Sequence, residues 1–448
     1  MSPSWSSADT IYAPASGPGR AGITVIRISG ARAGAALQAL TGRTQLPAPR
    51  TATLRRLSDP ASGEPIDEAL VLWFPAPGSF TGEDVVELHI HGGPAVRTAL
   101  VGALGRLPGL RDAEPGEFTR RAFLNRRLDL AQVEGLADLI AAETEAQRRQ
   151  ALRQMEGGLS REAAAWTGRL VGIAAELEAR LDFSDEDDVP AEPLAEMAGR
   201  IALMREEVSR ALAGAECGER LRDGYIVVLA GAPNAGKSAL LNALAQRDVA
   251  LVSEVPGTTR DAIEVRCDFG GLPVVFVDTA GWRETVDPVE RAGIERALSR
   301  AERADLVLWL VPVDAPRSVA DGPPLPAENV LQVRTKADLL AGEAETCSDL
   351  LVSAETGFGL DRLAAAVGQR TASALGQGDA LVTRERHRRE LARLVDALAR
   401  AEERCHMGGT ELAAEDVRLG LRALGRLVGH VDVEDVLDRI FAQFCIGK

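Results

Sequence analysis

"YIVVLAGAPNAGKSALLNAL", residues Tyr225 to Leu244, decides the reading of the chain. An apolar run, Tyr225 to Ala230, has the length and composition of a buried strand. It passes through Gly231-x-x-x-x-Gly236-Lys237-Ser238 into apolar residues at helical spacing. Glycines at these positions let backbone N–H groups wrap a phosphate at a helix N-terminus. Lys237 adds a point charge, and the Ser238 hydroxyl suits a Mg²⁺ ion. Asn234, Ala235 and Ala239 complete the contact stretch.

Four companions follow in order. "GTTRD" (Gly257 to Asp261) offers Thr259, a hydroxyl that can complete the Mg²⁺ shell and sense a γ-phosphate. "VVFVDTAG" places Asp278 at a strand end, followed by Thr279, Ala280 and Gly281, where a carboxylate holds the metal through water. "TKADL" supplies Thr335, Lys336 and Asp338; the Asp338 carboxylate can accept two hydrogen bonds from the guanine edge, a donor pair adenine lacks. "SAETG", with Ser353 and Ala354, reads as a base-side loop. Together they imply a Ras-like P-loop domain that binds GTP. Two positions depart from the commonest pattern: Thr335 stands where Asn is usual, and Trp282 where a Ras-like enzyme has its water-positioning Gln. An indole cannot orient a nucleophilic water, so hydrolysis needs another source of assistance.

Working outward, strand-like runs with Gly/Pro turns fill residues 1–118 and read as an α/β domain. Residues 119–220 are helical in pattern, broken by the acidic "DFSDEDDVPAEP" (Asp182 to Pro193). Strand–helix alternation returns over 221–376, and residues 377–448 are helical again. The expectation is a multidomain α/β plus all-α chain: an N-terminal α/β domain, and a helical domain interrupted by the P-loop domain. Insertion of this kind is tolerated where the host's two ends lie close together.

Bulk properties narrow the partners. A net charge of −15 over 448 residues disfavours indiscriminate nucleic-acid binding. No apolar run is long enough to span a membrane and no secretory leader opens the chain, so a cytoplasmic location with no membrane partner is expected. Five scattered cysteines without a Cys-x-x-Cys pair argue against a zinc site or a disulfide framework. The closing "FCIGK" (Phe444 to Lys448) makes a poor prenylation box, with Gly447 and Lys448 at positions that should be aliphatic and permissive.

Beyond the P-loop domain, "DTIYAPASGPGRAGITVIRISG", "GSFTGEDVVELHIHGGP", "PGEFTRRAFLNRRLDLAQVEGLADLI", "DTAGWRETVDPVERAGIERA" and "FCIGK" resemble the MnmE (TrmE) family of tRNA-modification GTPases, from near residue 9 to Lys448. The resemblance implies a K⁺ ion that plays the part of an arginine finger. It would be held by Asn234 and by a segment matching Ser253, Val255 and Thr258, with Glu290 orienting the water. It also implies a homodimer through the N-terminal domain, with G-domain dimerisation on GTP activation.

For the N-terminal domain the family implies a tetrahydrofolate derivative, 5-formyl or methylene, bound through Arg27, Glu87, Arg127 and Lys448, with Cys445 a participant in one-carbon chemistry. The tail would fold back beneath that domain. Read from the residues, "HIHGGP" runs into a helix with Pro94 first, and His89 and His91 are expected to face opposite ways, which argues against a shared metal. The implied activity is GTP hydrolysis coupled, with an FAD-binding MnmG (GidA)-type partner, to (carboxymethyl)aminomethyl addition at C5 of the wobble uridine of tRNA. The other reading in view is a ribosome-assembly switch GTPase that performs no modification chemistry.

Overall fold

The computed structural model describes residues 9–17, 19–182, 194–246, 250–251, 264–278, 304–314, 326–340, 350–376 and 380–431, with positions 437, 440, 441, 444 and 447. The chain divides into two compact units, residues 1–137 with 425–448, and residues 138–424.

In the first unit, β1 (Thr10–Pro14), β2 (Ala21–Ser29), β3 (Thr53–Ser58), β4 (Pro65–Phe74), β5 (Val85–Gly92) and β6 (Leu110–Asp112) form one sheet in the order β3-β4-β5-β2-β1-β6. Only the β1–β6 pair is parallel. Alternation sets the two faces. Val86, Leu88 and Ile90 pack with Ile26 and Ile28 beneath α1 (Ala33–Thr41) and α2 (Pro94–Gly105), while Glu87, His89 and His91 project from the other side. Pro94 does open α2, where its missing N–H leaves no helical bond unmade. Then come α3 (Glu117–Leu124) and α4 (Leu130–Ala141). Leu130 and Val133 bury against Leu437, Ile440, Phe441 and Phe444, so the tail belongs to this core.

The second unit opens with α5 (Glu145–Met155), α6 (Gly158–Asp182), α7 (Leu194–Ala213) and α8 (Ala215–Asp223). The P-loop domain follows: β7 (Tyr225–Gly231), α9 (Lys237–Ala245), β8 (Ala250–Leu251), β9 (Glu264–Phe269), β10 (Leu272–Asp278), β11 (Leu306–Pro312), β12 (Val330–Thr335) and α10 (Leu360–Leu375). The chain then returns through α11 (Glu385–His406) and α12 (Thr410–Val428). Helices before and after the insert lie together: α7 runs along α11, and Arg205 pairs with Glu402 at 2.9 Å. Asp138 gathers both crossings of the chain, its Oδ1 accepting from Arg222 on the way out (3.0 Å) and Arg384 on the way back (2.6 Å).

Strand order in the insert is β12-β11-β7-β10-β9-β8, parallel from β12 to β10 and antiparallel beyond. Apolar strands buried on both faces explain the near-continuous run in β7, whose valines and leucines alternate between two core clusters. Strand order reverses at β7, so the loop after it opens at the switch point where α/β sheets bind ligands.

Candidate nucleotide-binding site

The loop between β7 and α9 owes its shape to three backbone positions. Gly231 has φ +147, and a Cβ there would sit 2.5 Å from the Leu310 carbonyl. Asn234 is left-handed at φ 62, a region that Asn enters more readily than most residues. Gly236, at φ +89, caps the start of α9. The first-turn amides of α9 have no acceptor within the helix, and a helix N-terminus of this kind favours an anion.

Lys237 is buried at the helix start, and its ammonium donates to the carbonyls of Gly231 and Ala232, both at 3.0 Å. Burial pulls this amine below the usual lysine range, with the nearby Asp278 charge opposing. Ser238 Oγ donates to Asp278 Oδ2 at 2.6 Å. Asp278 Oδ1 is buried and has no hydrogen-bond partner among the described residues. A carboxylate oxygen in that position carries a desolvation cost of about 1–3 kcal/mol unless something satisfies it. A hydroxyl beside a carboxylate with a spare buried oxygen is a donor set that fits a divalent cation and its water.

At the far end, Thr335 Oγ1 donates to the Ala235 carbonyl at 2.7 Å and so ties β12 to the phosphate loop. Lys336 is left-handed at φ 61 and reaches Asp314 at 3.5 Å. Asp338 Oδ1 accepts from Ser353 Oγ at 2.5 Å, which steers one carboxylate oxygen. Ser353 is fully buried; the turn behind it closes where Gly359, at φ +74, approaches the Leu351 carbonyl so closely that a Cβ would lie 1.9 Å away. Asn234, Ser238 and Ala239 are exposed, Ala354 half-buried. The structure therefore brings together Asn234, Ala235, Gly236, Lys237, Ser238 and Asp278 at one end, and Thr335, Lys336, Asp338 and Ser353 at the other. Ser253, Val255, Thr258, Thr259, Thr279, Ala280, Gly281, Trp282 and Glu290 lie outside the described residues.

In the first unit, Arg27 and Glu87 are partners. They face each other in the β2–β5 register, and Glu87 Oε1 accepts from Arg27 Nε at 3.0 Å and Nη2 at 2.9 Å. The guanidinium also lies 5.4 Å from the Phe80 ring centre and 5.7 Å from that of Phe118. Arg127 is exposed and lays its aliphatic stem along Gly82. Cys445 and Lys448 lie outside the described residues, but Gly447 between them is buried at φ +100, where a Cβ would fall 1.9 Å from the Pro14 carbonyl.

One expectation is corrected. His89 and His91 do not face opposite ways; residues two apart on a strand share a face, and both project beside Glu87. Each has its own acid, His89 with Glu87 at 3.5 Å and His91 with Asp67 at 2.8 Å. No group of three or more candidate metal ligands occurs among the described residues.

Sequence reasoning missed a buried charge network behind Arg27. Glu117 accepts from Arg111 (2.7 Å) and Arg121 (3.0 Å), and Arg121 also pairs with Glu83 at 3.0 Å. Glu83 sits in "GSFTGED", Glu117 and Arg121 in "PGEFTRR", and Arg111 just upstream of the latter; the charges are conspicuous but their pairing only the fold reveals.

Comparison with known proteins follows the same lines. Residues 130–445 match the MnmE helical domain family, and residues 10–127 the N-terminus of GTP-binding protein TrmE. A protein of Methylorubrum populi named "tRNA modification GTPase MnmE" is 57% identical over 441 residues, covering 98% of each chain. One of the same name from Methylobacterium radiotolerans is 56% identical, covering 98% of this chain and 99% of its own. A third, from Parvibaculum lavamentivorans, is 52% identical over 98% of this chain and 100% of its own. Among solved structures, the G domain of the T. maritima FeoB iron transporter aligns with 33% of this chain and 97% of its own at TM-score 0.24 and 21% identity, a match too loose to bear on function.

Proposed function

The chain belongs to the MnmE (TrmE) family of tRNA modification GTPases, and from that premise we propose that it is a cytoplasmic GTP hydrolase that depends on K⁺ and acts with an FAD-binding MnmG (GidA)-type partner. Together they would install (carboxymethyl)aminomethyl groups at C5 of the wobble uridine of tRNA, with the one-carbon unit drawn from a tetrahydrofolate derivative. No helix among the described residues is long and apolar enough to cross a membrane.

The observation that carries this reading is the joining of the two ends of the nucleotide site. Thr335 holds the phosphate loop through the Ala235 carbonyl, while Asp278 takes the Ser238 hydroxyl at the strand end beside it. Lys237 meets the phosphates with a charge kept close to the loop by two carbonyls. Asp338, oriented by Ser353, selects guanine. Ser238 and Asp278, with Thr259, would hold Mg²⁺; Asn234, Ser253, Val255 and Thr258 would hold K⁺. Bound there, the two cations offset charge that develops on the transferred phosphoryl oxygens. Glu290 would hold the attacking water, a task Trp282 cannot perform.

The same reading gives the N-terminal domain a folate. Glu87, already a partner of Arg27, would pair with the amino-pyrimidine edge, while Arg127 and Lys448 meet the acidic tail of the ligand. What supports a role for the chain end is the burial of Gly447 against Pro14. The homodimer would form through the N-terminal domains, with the G domains associating on GTP activation.

The deciding measurement is mass analysis of wobble uridine in tRNA from a strain lacking the gene. Loss of the modified base supports the reading, and an unchanged base with a ribosome-assembly defect would replace it with the switch-GTPase alternative. In vitro, GTP turnover should run faster in K⁺ than in Na⁺ at equal ionic strength; equal rates remove the monovalent-cation part.

A further inference from the structure

The hairpin of β9 and β10 connects the nucleotide site to a helix outside the P-loop domain. At one end is Asp278, bonded to Ser238 at 2.6 Å. From there an unbroken ladder, Val277↔Glu264 to Leu272↔Phe269, runs to the turn. At about 3.3 Å per residue this spans roughly 20 Å. The turn itself is built to be tight: Gly270 and Gly271 are both left-handed (φ 66 and 88), and Asp268 Oδ1 accepts from the Gly271 amide at 2.5 Å.

The turn is bonded to α5. The Gly271 carbonyl accepts from the Ala146 amide at 3.0 Å. Ala146 is the second residue of α5, so its N–H has no acceptor within the helix. The neighbouring orphan amides are met locally by the Thr144/Gln147 capping box, and this one is met from the hairpin. Beside it Glu143 pairs with Arg266 of β9 at 3.5 Å.

The same helix holds the other side of the sheet. Gln147 Nε2 donates to the Arg222 carbonyl (2.9 Å) and Gln150 Nε2 to that of Gly218 (3.1 Å), both on α8, which leads directly into β7. So α5 is bonded at once to α8, which precedes the central strand, and to the tip of the hairpin. A displacement of β10 relative to β7 would therefore bear on the first turn of α5. Asp278 is tied to Ser238 directly here, and a divalent cation bound with a nucleotide would compete for the Ser238 hydroxyl.

We propose that this hairpin is the lever that carries nucleotide state from Asp278 to α5, with the Gly271 carbonyl and the Ala146 amide as its coupling. The inference rests on the nucleotide reading of the site and adds the route by which the helical domain senses it. Ala146 and Gly271 are positioning residues; neither meets substrate.

The test uses the full chain. Ala146→Pro deletes the donor with a residue that the first turn of a helix tolerates. Glu143→Arg, which sets like charges against Arg266, is the second variant and stands in if the first misfolds. Hydrogen exchange of peptides covering residues 147–155 and 264–272 is compared with GDP and with a non-hydrolysable GTP analogue plus Mg²⁺. In the unaltered chain the α5 peptide should exchange at rates differing by about threefold or more between the two states, and the difference should shrink by at least about half in the variants. Fluorescent-GDP affinity should stay within about twofold throughout. Identical α5 exchange in both nucleotide states, or a difference undiminished in the variants, overturns the lever. Failure of the unaltered chain to bind fluorescent GDP overturns the nucleotide reading instead.

Discussion

Thr335 Oγ1 donates to the Ala235 carbonyl at 2.7 Å, and that bond ties the end of β12 to the loop between β7 and α9. Both partners are buried, so the bond is made out of competition with water. A threonine can make this bridge but has no amide left over for a base, so in the function proposed above guanine recognition would fall to Asp338. Replacing Thr335 by the near-isosteric Val leaves the carbonyl unmet, a loss of about 1–2 kcal/mol. GDP affinity should fall by about tenfold, chiefly through faster release, while Thr335→Ser stays near the original value. Stopped-flow release of a fluorescent GDP checks this, and equal release rates for the Val variant would show that the bond does not shape the site.

Buried Glu117 makes a second prediction, about pH. Burial pushes its carboxyl up, but hydrogen bonds from Arg111, the Glu114 amide and Arg121 prevail and hold it below the usual range. A carboxylate with a depressed folded pKa gives stability that is present above its unfolded value, near 4.5, and is lost as pH falls through the folded value. Glu117→Gln should therefore cost about 3 kcal/mol at neutral pH by leaving Arg121 short of a buried partner. It should also flatten the decline of N-terminal unfolding temperature below pH 4.5. An acid limb as steep as the original would mean that other carboxylates set it.

The P-loop domain was legible in the sequence because phosphate chemistry leaves little freedom. Gly231, Gly236, Lys237, Ser238 and Asp278 are demanded by backbone approach and charge, and the strand and helix around them read from apolar spacing. Arg27 and Glu87 show the limit. From the residues each reads as an ordinary strand charge, and a ligand role comes only from the family resemblance; that they pair with each other depends on the β2–β5 register across 60 residues, which no local pattern encodes. The sidedness of His89 and His91 was available from strand period alone and was misjudged. The bond between Ala146 and Gly271 was out of reach, because a backbone carbonyl carries no sequence signature.

Cys267 offers a probe of the sheet's integrity. It sits in the apolar core beside Phe269 and Val274, and burial pushes its thiol up to about 12. At pH 8 only about one molecule in ten thousand carries the thiolate, and a reagent has no path to it. Iodoacetamide should leave Cys267 unmodified in the folded chain and label it on unfolding, as peptide mass mapping would show. Labelling under native conditions would mean that β9 opens on the timescale of the reaction.

The chain end supplies the last. Gly447 is buried at φ +100, and its Cα lies so close to β1 that a Cβ would overlap the Pro14 carbonyl at 1.9 Å. Both constraints exclude a side chain there, one by backbone strain and one by volume. Gly447→Val should detach the last residues while leaving Phe441 and Phe444 packed against Leu130 and Val133, since those contacts lie upstream and are apolar. Carboxypeptidase should then remove the terminal residues several times faster than from the unaltered chain. GTP hydrolysis should be unaffected, and binding of a tetrahydrofolate derivative should weaken by tenfold or more if Lys448 and Cys445 serve that site, a loss of about 1.4 kcal/mol. Faster trimming with folate binding intact would keep the tail as packing and remove it from the ligand site.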